Sequence, residues 1–462
     1  MRIIILGAGR VGESVAETLV SEANDITVVD TDPERLHELE ERLELRGVAG
    51  NGIQPSVLRG AGAEDCDLFI ACTALDETNL VACKIAHDVF GIPTTIARLR
   101  SPEFPQGDKL LDKNGFSVDK VICPEATVTL YVQQLIEYPE ALQVVRFSQG
   151  QAHLVAVRVA RGSRLADHSI AAFRAENPDV PLRIVAIYRG NEELPVEPDT
   201  RVLPGDEIYI LVAREQVRQA LHAIGNPDRR VRRVMIAGGG KVGLRLARSL
   251  AGVCQVKIIE SNRKRAEYLA GELPSDMLVL DGDAADEELL LTENVGDMDL
   301  FIALTSDDED NILSAMLAKR LGARRVMALI NRRAYADMMQ GSTIDIAISP
   351  AHAVIGELLM HVRRGAVAAV HSLRSGTAEA LEGIAHGDAR TSHLVGRRIG
   401  DIRLPPGVRV GAIVRGQDGA ARVLIASNDT VIETDDHVIM FLPHKRLVRE
   451  VEKLFQVRAT FF

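Results

Sequence analysis

Arg2-Ile3-Ile4-Ile5-Leu6-Gly7-Ala8-Gly9-Arg10-Val11-Gly12 opens the chain, and Arg233-Val234-Met235-Ile236-Ala237-Gly238-Gly239-Gly240-Lys241-Val242-Gly243 repeats its pattern in the second half. Each stretch reads as a buried strand, a G-x-G-x-x-G turn and the start of an apolar helix. That sequence of elements is the opening of a dinucleotide-binding βαβ unit. Gly7 permits the tight turn, and Gly9 lets backbone N–H groups approach a pyrophosphate. Gly12 allows the helix to pack close to its strand. The phosphates of a ligand would then lie at the helix N-terminus, where unpaired amides and the helix dipole favour an anion.

An acid stands where such a unit needs one. Asp30 follows Val28-Val29 at the end of the second strand, at the spacing of a ribose-binding carboxylate. Accepting from the ribose hydroxyls and repelling a 2′-phosphate, it favours NAD(H) over NADP(H). The second copy keeps the same logic with Gly238, Gly240, Gly243 and Glu260.

Working outward, the repeat widens. Asp67-Leu68-Phe69-Ile70-Ala71 recurs as Asp299-Leu300-Phe301-Ile302-Ala303, and Thr73, Asp76 and Asn79 recur in register as Thr305, Asp308 and Asn311. Ala186-Ile187-Tyr188-Arg189-Gly190 is echoed by Ala412-Ile413-Val414-Arg415-Gly416. The duplicated unit is therefore a two-part module, in the order N1–C1–N2–C2.

Within N1, strands are expected over 3–6, 26–29, 68–71, 94–98 and 120–123, with helices over 11–19, 33–46 and about 77–90. Strands alternating with such helices mean right-handed crossovers and a doubly wound parallel sheet. The C units read as small α+β domains. Strands at 154–159, 183–188 and 207–212 are separated by turns such as Gly190-Asn191 and Pro204-Gly205-Asp206. Helices close them near 214–224 and 447–455. Asn226-Pro227-Asp228 reads as the linker between halves. The fold class is thus α/β: two Rossmann-like doubly wound domains (1–125 and 232–350), each followed by a small α+β domain (140–225 and 368–456).

Bulk properties exclude several classes. With 46% apolar and 26% charged residues, the 462-residue chain has the balance of a globular protein. Only 4% of residues are aromatic and none is Trp, so the cores are aliphatic. A formal net charge of −11 argues against broad nucleic-acid binding. The opening apolar run is too short for a signal segment, and no stretch approaches the roughly 20 apolar residues of a spanning helix. A cytosolic location follows, with any membrane role exerted from the surface through a partner. The five cysteines (Cys66, Cys72, Cys83, Cys123, Cys254) form no C-x-x-C pair and read as buried reduced thiols. Asp307-Asp308-Glu309-Asp310 reads as a helix start rather than a calcium site. Asp281, Asp283 and Asp286 leave the same two readings open. No metal site is assigned.

With these motifs in hand, the chain resembles the NAD-binding components of Trk potassium-uptake systems, built from two tandem regulator-of-potassium-conductance (RCK) units. The resemblance rests on the paired glycine turns and the D-L-F-I-A-x-T-x-x-D-x-x-N stretches. It also rests on Ala49-Gly50-Asn51-Gly52 against Leu280-Asp281-Gly282-Asp283-Ala284. It implies a peripheral regulatory subunit, assembled as a ring of copies such as a homotetramer. That ring docks on a membrane potassium-translocating subunit of the TrkH type and gates it by binding nucleotide. NAD(H) is the implied ligand, with ATP or ADP as further ones. Carried over by motif, Gly7, Ala8, Gly9, Arg10 and Val11 form the phosphate loop with Gly12 behind it. Asp30 is the ribose ligand, Asn51 lies beside the adenine, Thr73-Ala74 form the loop after the fourth strand, and Arg98 lies near the phosphates. In the second copy Gly238, Gly240, Lys241, Val242, Gly243, Glu260 and Asp283 correspond. Alignment through the D-L-F-I-A stretches puts Ile330 where Arg98 stands, so the second site lacks that cation.

The competing class is an NAD-dependent dehydrogenase on the same fold, which fold alone does not separate. Such an enzyme needs an acid/base residue facing the nicotinamide. The candidates His153, His168, His386 and His393 lie in turn-rich, polar stretches and read as solvated surface residues. Regulation without catalysis is the expectation.

Overall fold

A computed structural model describes residues 1–457 apart from 21, 23, 102, 105–106, 226–229, 340–342, 351–354, 357, 360–361, 363–365 and 417–420. The linker expected at 226–228 lies outside the described residues. By contacts the chain forms two compact units. One comprises Met1–Thr129, Leu329–Ala336 and Ile348–Val362; the other comprises Leu130–Ala328, Asp337–Ala347 and Arg363–Phe462.

N1 runs β1 (Arg2–Leu6), α1 (Arg10–Val20), β2 (Asp25–Asp30), α2 (Pro33–Arg42), β3 (Arg46–Ala49), α3 (Pro55–Gly60), β4 (Leu68–Ala71), α4 (Asp76–Phe90), β5 (Thr94–Arg98) and β6 (Lys120–Ile122). Its sheet has the order β3-β2-β1-β4-β5-β6, and every pairing is parallel. The order reverses between β1 and β4, which places the ligand crevice at the carboxyl ends of those strands. The strands are apolar on both faces; Ile5, Val28, Phe69 and Ile96 are all fully buried.

The local signals explain the boundaries. Asp32 caps α2, accepting from the amides of Glu34 and Arg35, with Pro33 in the first turn. Gly91, in the left-handed conformation, ends α4. The helix expected over 33–46 stops at Arg42, because Leu43 is extended and Arg46–Ala49 pairs with β2 instead.

A helix α5 (Pro124–Glu137) leads on from β6. C1 contains β7 (Ala141–Phe147), β8 (Ala152–Arg158), α6 (Ile170–Glu176), β9 (Leu182–Arg189), β10 (Glu192–Leu194), β11 (Glu207–Ala213) and α7 (Val217–Ile224). Its antiparallel sheet has the order β10-β9-β11-β8-β7.

N2 repeats N1 with β12 (Arg233–Ala237), α8 (Lys241–Ser249), β13 (Gln255–Glu260), α9 (Arg263–Glu272), β14 (Leu278–Asp281), α10 (Glu287–Thr292), β15 (Leu300–Ala303), α11 (Asp308–Arg320), β16 (Val326–Leu329), α12 (Arg333–Met339) and β17 (Ile346–Ile348). Its order is β14-β13-β12-β15-β16-β17, the same reversal. C2 follows with β18 (Val367–Leu373), β19 (Ala378–Ile384), β20 (Arg409–Arg415), β21 (Arg422–Ile425), β22 (His437–Leu442) and α13 (Val448–Leu454). Its order β18-β19-β22-β20-β21 is that of C1 read from the other edge.

The two C sheets share one core. Phe147, Leu154, Tyr209 and Leu211 of C1 pack in one buried cluster with Leu373, Ala412, Ile439 and Phe441 of C2. Gly411 is glycine for this reason: a Cβ there would lie 2.1 Å from Leu211 Cδ1. Polar ties cross the same junction. Arg374 donates to Glu207 at 2.6 Å and to the Gly190 carbonyl at 2.9 Å. Ser148 Oγ donates to the buried Glu382 at 2.7 Å.

Candidate functional site

The glycine turn after β1 separates two kinds of glycine. Gly7 has φ +107°, and its amide donates to the Val29 carbonyl at 2.7 Å. A Cβ on Gly12 would stand 1.9 Å from the Gly7 carbonyl oxygen, so α1 seats against the turn only without a side chain. Both serve the fold. Gly9 is different: among the described residues a Cβ there would meet nothing within 4 Å. Its lack of a side chain leaves the backbone at Gly9 open to close approach of a pyrophosphate. Arg10 is exposed at the first position of α1, and Val11 is half-buried behind it.

Asp30, at the end of β2, is held by two amides. Ala8 N donates to Oδ2 at 2.5 Å and Asp32 N to Oδ1 at 2.9 Å. The carboxylate is thereby fixed between the glycine turn and the cap of α2. Gly50 N donates to the Asp30 carbonyl at 2.8 Å, which brings the next loop alongside. In that loop Asn51 Oδ1 accepts from Ile53 N at 3.2 Å, an Asx turn that sets its side chain.

Thr73 begins the loop after β4, ahead of Ala74. Its amide and hydroxyl both donate to Asn79 Oδ1, at 2.9 and 2.7 Å. The fully buried Asn79 returns bonds from Nδ2 to the carbonyls of Thr73 (3.2 Å) and Arg98 (2.7 Å). The recurring T-x-x-D-x-x-N pattern is thus a latch holding the loop ends of β4 and β5 together. Asp76 completes it, accepting from the amides of Arg100 and Ser101.

That latch presents two arginines. Arg98 Nη2 lies 3.1 Å from Glu125 Oε1 and Arg100 Nε 3.5 Å from the same oxygen. Glu125 is in the first turn of α5, directly after Pro124. Among the described residues the buried Arg98 Nε has no hydrogen-bond acceptor, and the buried Arg100 Nε has only that long contact with Glu125. Sequence reading found Arg98 but neither Arg100 nor Glu125. The only signal for Glu125 was an acid one residue past a proline.

The second site repeats the turn with one exchange. Gly238 has φ +101°, and a Cβ on Gly243 would lie 2.1 Å from its carbonyl oxygen. Gly240, like Gly9, faces no atom within 4 Å among the described residues. Glu260 accepts from Gly239 N at 2.8 Å and Asn262 N at 2.9 Å, as Asp30 does from its two amides. The carboxylate is one methylene longer, and glycine stands where the first turn has Ala8; a Cβ there would lie 2.2 Å from Leu269 Cδ1. A Cβ on Gly239 would come within 3.0 Å of Glu260 Oε2. Lys241 is exposed at the start of α8, with Val242 half-buried after it. Asp283 Oδ1 accepts from Ala285 N at 2.8 Å, the Asx turn of Asn51 again. Arg265, which sequence reading missed, donates to the Gly239 carbonyl at 2.9 Å and lies over the Tyr268 ring.

Three expectations need correction or closure. The residue in Arg98's place is Leu329, not Ile330. Phe69 pairs with Thr95 and Phe301 with Val326, so the strands match with one residue fewer between sheet positions in N2. Leu99 and Ile330 then make the same bond, to the carbonyls of Ile122 and Ile348. The second site still lacks the arginine. His153 is not a surface residue: it sits in β8 at 1% exposure, and burial pulls its pKa down to about 4. His168 and His386 are exposed and His393 is half-buried. The acidic runs are helix caps. Asp307 accepts from Asp310 N to start α11, and Asp286 from Glu288 N to start α10. Among the described residues no group of three His, Cys, Asp or Glu is disposed to hold a metal ion.

The TrkA-N domain family matches residues 3–124 and 234–350, and the TrkA-C domain family matches residues 154–225 and 389–456. A Trk system potassium uptake protein TrkA of Halomonas elongata is 50% identical over 462 residues, covering all of both chains. The protein of that name from Vibrio alginolyticus is 49% identical over 99% of each chain, and that from Haemophilus influenzae is 46% identical over all of both. The chain therefore belongs to the family of Trk system potassium uptake proteins with tandem TrkA-N and TrkA-C domains. The fold is also that of the solved GsuK RCK domain, at TM-score 0.60 and 17% identity, covering 98% of this chain and 94% of that one. The GsuK channel bound to NAD has TM-score 0.60 over 98% of this chain and 78% of that one.

Proposed function

We propose that this chain is a nucleotide-binding regulatory subunit of a membrane potassium-uptake transporter, gating it in response to NAD(H) or to ATP and ADP. The observation that carries this reading is the first site. An open backbone at Gly9, a carboxylate fixed by two amides at Asp30 and a guanidinium pair at Arg98 and Arg100 stand at one switch point of one sheet. They supply phosphate, ribose and terminal-charge contacts respectively. Family membership supports potassium uptake as the process regulated. Among the described residues no helix is long and apolar enough to cross a membrane; the transporting pore is assigned to a partner on the strength of the family. Ring assembly and peripheral docking at the inner membrane face belong to the same reading.

For a ligand to gate, it must bind one conformation better than the other. A tenfold preference is worth about 1.4 kcal/mol per site, and several linked sites multiply it. The candidate ligand residues are Gly7 to Gly12, Asp30, Asn51, Thr73, Ala74 and Arg98 in N1. In N2 they are Gly238, Gly240, Lys241, Val242, Gly243, Glu260 and Asp283. Equilibrium binding of NAD⁺, NADH, ATP and ADP, repeated with Asp30→Ala and Arg98→Ala, tests the assignment. Asp30→Ala is expected to weaken every ligand with a free ribose diol, and Arg98→Ala chiefly those with terminal phosphates. Unchanged affinities in both variants would refute the first site. Hydride transfer from NADH to a small metabolite would instead favour the dehydrogenase reading.

A further inference from the structure

The guanidinium pair at the end of β5 is already half neutralised. Arg98, Arg100 and Glu125 gather two positive charges around one carboxylate, and their side chains are 11%, 30% and 16% exposed. These three side chains sum to one positive charge, with the Asp76 carboxylate held against the Arg100 and Ser101 amides beside them. Among the described residues the cluster also keeps a buried Nε donor on Arg98 without a hydrogen-bond acceptor, and a second on Arg100 that has only the 3.5 Å contact with Glu125. A bridge built only to hold the fold would be completed, because a buried unmade donor is costly. A phosphate group has more acceptor oxygens than a carboxylate and matches the planar guanidinium fork.

We propose that Glu125 is the resident counter-anion of this pair, and that the terminal phosphate of a mononucleotide takes its place. Glu125 thereby sets the selectivity of the site by phosphate charge. This rests on reading N1 as a nucleotide site. A second observation supports treating the three residues as one device: N2 lacks all of them together. Leu329 stands for Arg98 and Asn331 for Arg100. Pro350 is followed by Ala351, where Pro124 is followed by Glu125. The copy without the arginines has no acid to balance them.

The exchange sets a threshold. Glu125 is stabilised where it is, by two guanidiniums and by the positive end of α5. A ligand displaces it only by bringing more charge. A terminal phosphate does so, whereas the internal pyrophosphate of a dinucleotide carries less charge per phosphate and leads on to a second nucleoside with no terminal phosphate. The site then discriminates ATP and ADP from NAD(H) through a group of the protein's own.

The test is isothermal titration of the full-length chain with ATP, ADP and NAD⁺ separately, for the unaltered protein and for Glu125→Gln. Removing the competing anion is expected to tighten ATP and ADP by on the order of tenfold, equivalent to about 1.4 kcal/mol, while NAD⁺ stays within about twofold. Adding Arg98→Ala to Glu125→Gln should erase that gain. Weaker ATP binding by Glu125→Gln means Glu125 itself touches the ligand, and unchanged binding means the bridge is only structural; either overturns the proposal. Should the glutamine variant fail to fold, Glu125→Asp asks the same question. Its shorter carboxylate falls back from the arginines and ATP should again bind more tightly, with a fall or no change counting against the idea. If Asp30→Ala and Arg98→Ala in the otherwise unaltered chain change no affinity, the N1 reading has failed first, whatever Glu125 does.

Discussion

Gly9 and Gly12 are three positions apart and answer to different demands. Gly12 is required by the Gly7 carbonyl 1.9 Å from where its Cβ would be, and Gly9 by nothing within 4 Å among the described residues. Gly12→Ala is therefore expected to lose about 2–3 kcal/mol of stability, the cost of overpacking against backbone that cannot retreat. Gly9→Ala should change stability by less than about 0.5 kcal/mol, yet weaken nucleotide binding. Thermal melting beside titration separates the two, and equal losses of stability would remove the distinction. The pairing of Asp30 with Ala8 and of Glu260 with Gly239 shows the same precision. The longer acid stands beside the turn without the methyl, where a Cβ would meet both Leu269 Cδ1 at 2.2 Å and Glu260 Oε2 at 3.0 Å.

At the scale of elements, β8 is buried along all but its last residue, so any titratable group on it is drawn out of water. His153 is such a group, with Arg146 and Arg214 as its charged neighbours and Tyr138 at its ring edge. Burial and those cations pull its pKa down to about 4, and Nδ1 has no partner. An unfolded imidazole takes its proton near pH 6.5, while the folded one does so only about 2.5 units lower. Stability from His153 is thus full above about pH 6.5 and falls by up to about 3 kcal/mol toward pH 4, where it levels off. Chemical denaturation between about pH 7 and about pH 4.5 should show a shallower decline in His153→Leu than in the unaltered chain. Identical slopes would mean that His153 does not carry it.

The same scale shows what was legible in the sequence. The glycine turns, the acids ending β2 and β13 and the alternation of strand and helix were readable, because each is local. The strand β3 was not: Arg46-Gly47-Val48-Ala49 is short and half-exposed, and the helical pattern before it runs on smoothly. Nor was α5, whose Thr127-Val128-Thr129 opening is β-branched and weakly helical. Tertiary burial of Val128, Val132 and Leu135 on one face overrides that preference. Glu125 and Arg98 stand 27 residues apart, and only the sheet brings them together.

For the whole molecule, the shared core of the C units decides how much of the chain can stand alone. A fragment of residues 1–225 would expose Phe147, Leu154, Tyr209 and Leu211, which C2 buries in the intact chain. Such a fragment is expected to pair with a second copy of itself, using C1 in the place of C2. Light scattering or sedimentation gives the mass directly, and a stable, well-dispersed monomer would contradict the prediction.

That common core has a consequence for how the two halves change over time. In a pair of identical subunits every substitution appears on both sides at once, so a site cannot be altered without altering its twin. Here the twins are encoded separately but still meet in one hydrophobic interior. One half carries the two arginines and their acid and the other does not, while both keep the contact that joins them. Specialisation without separation is what the fusion makes possible.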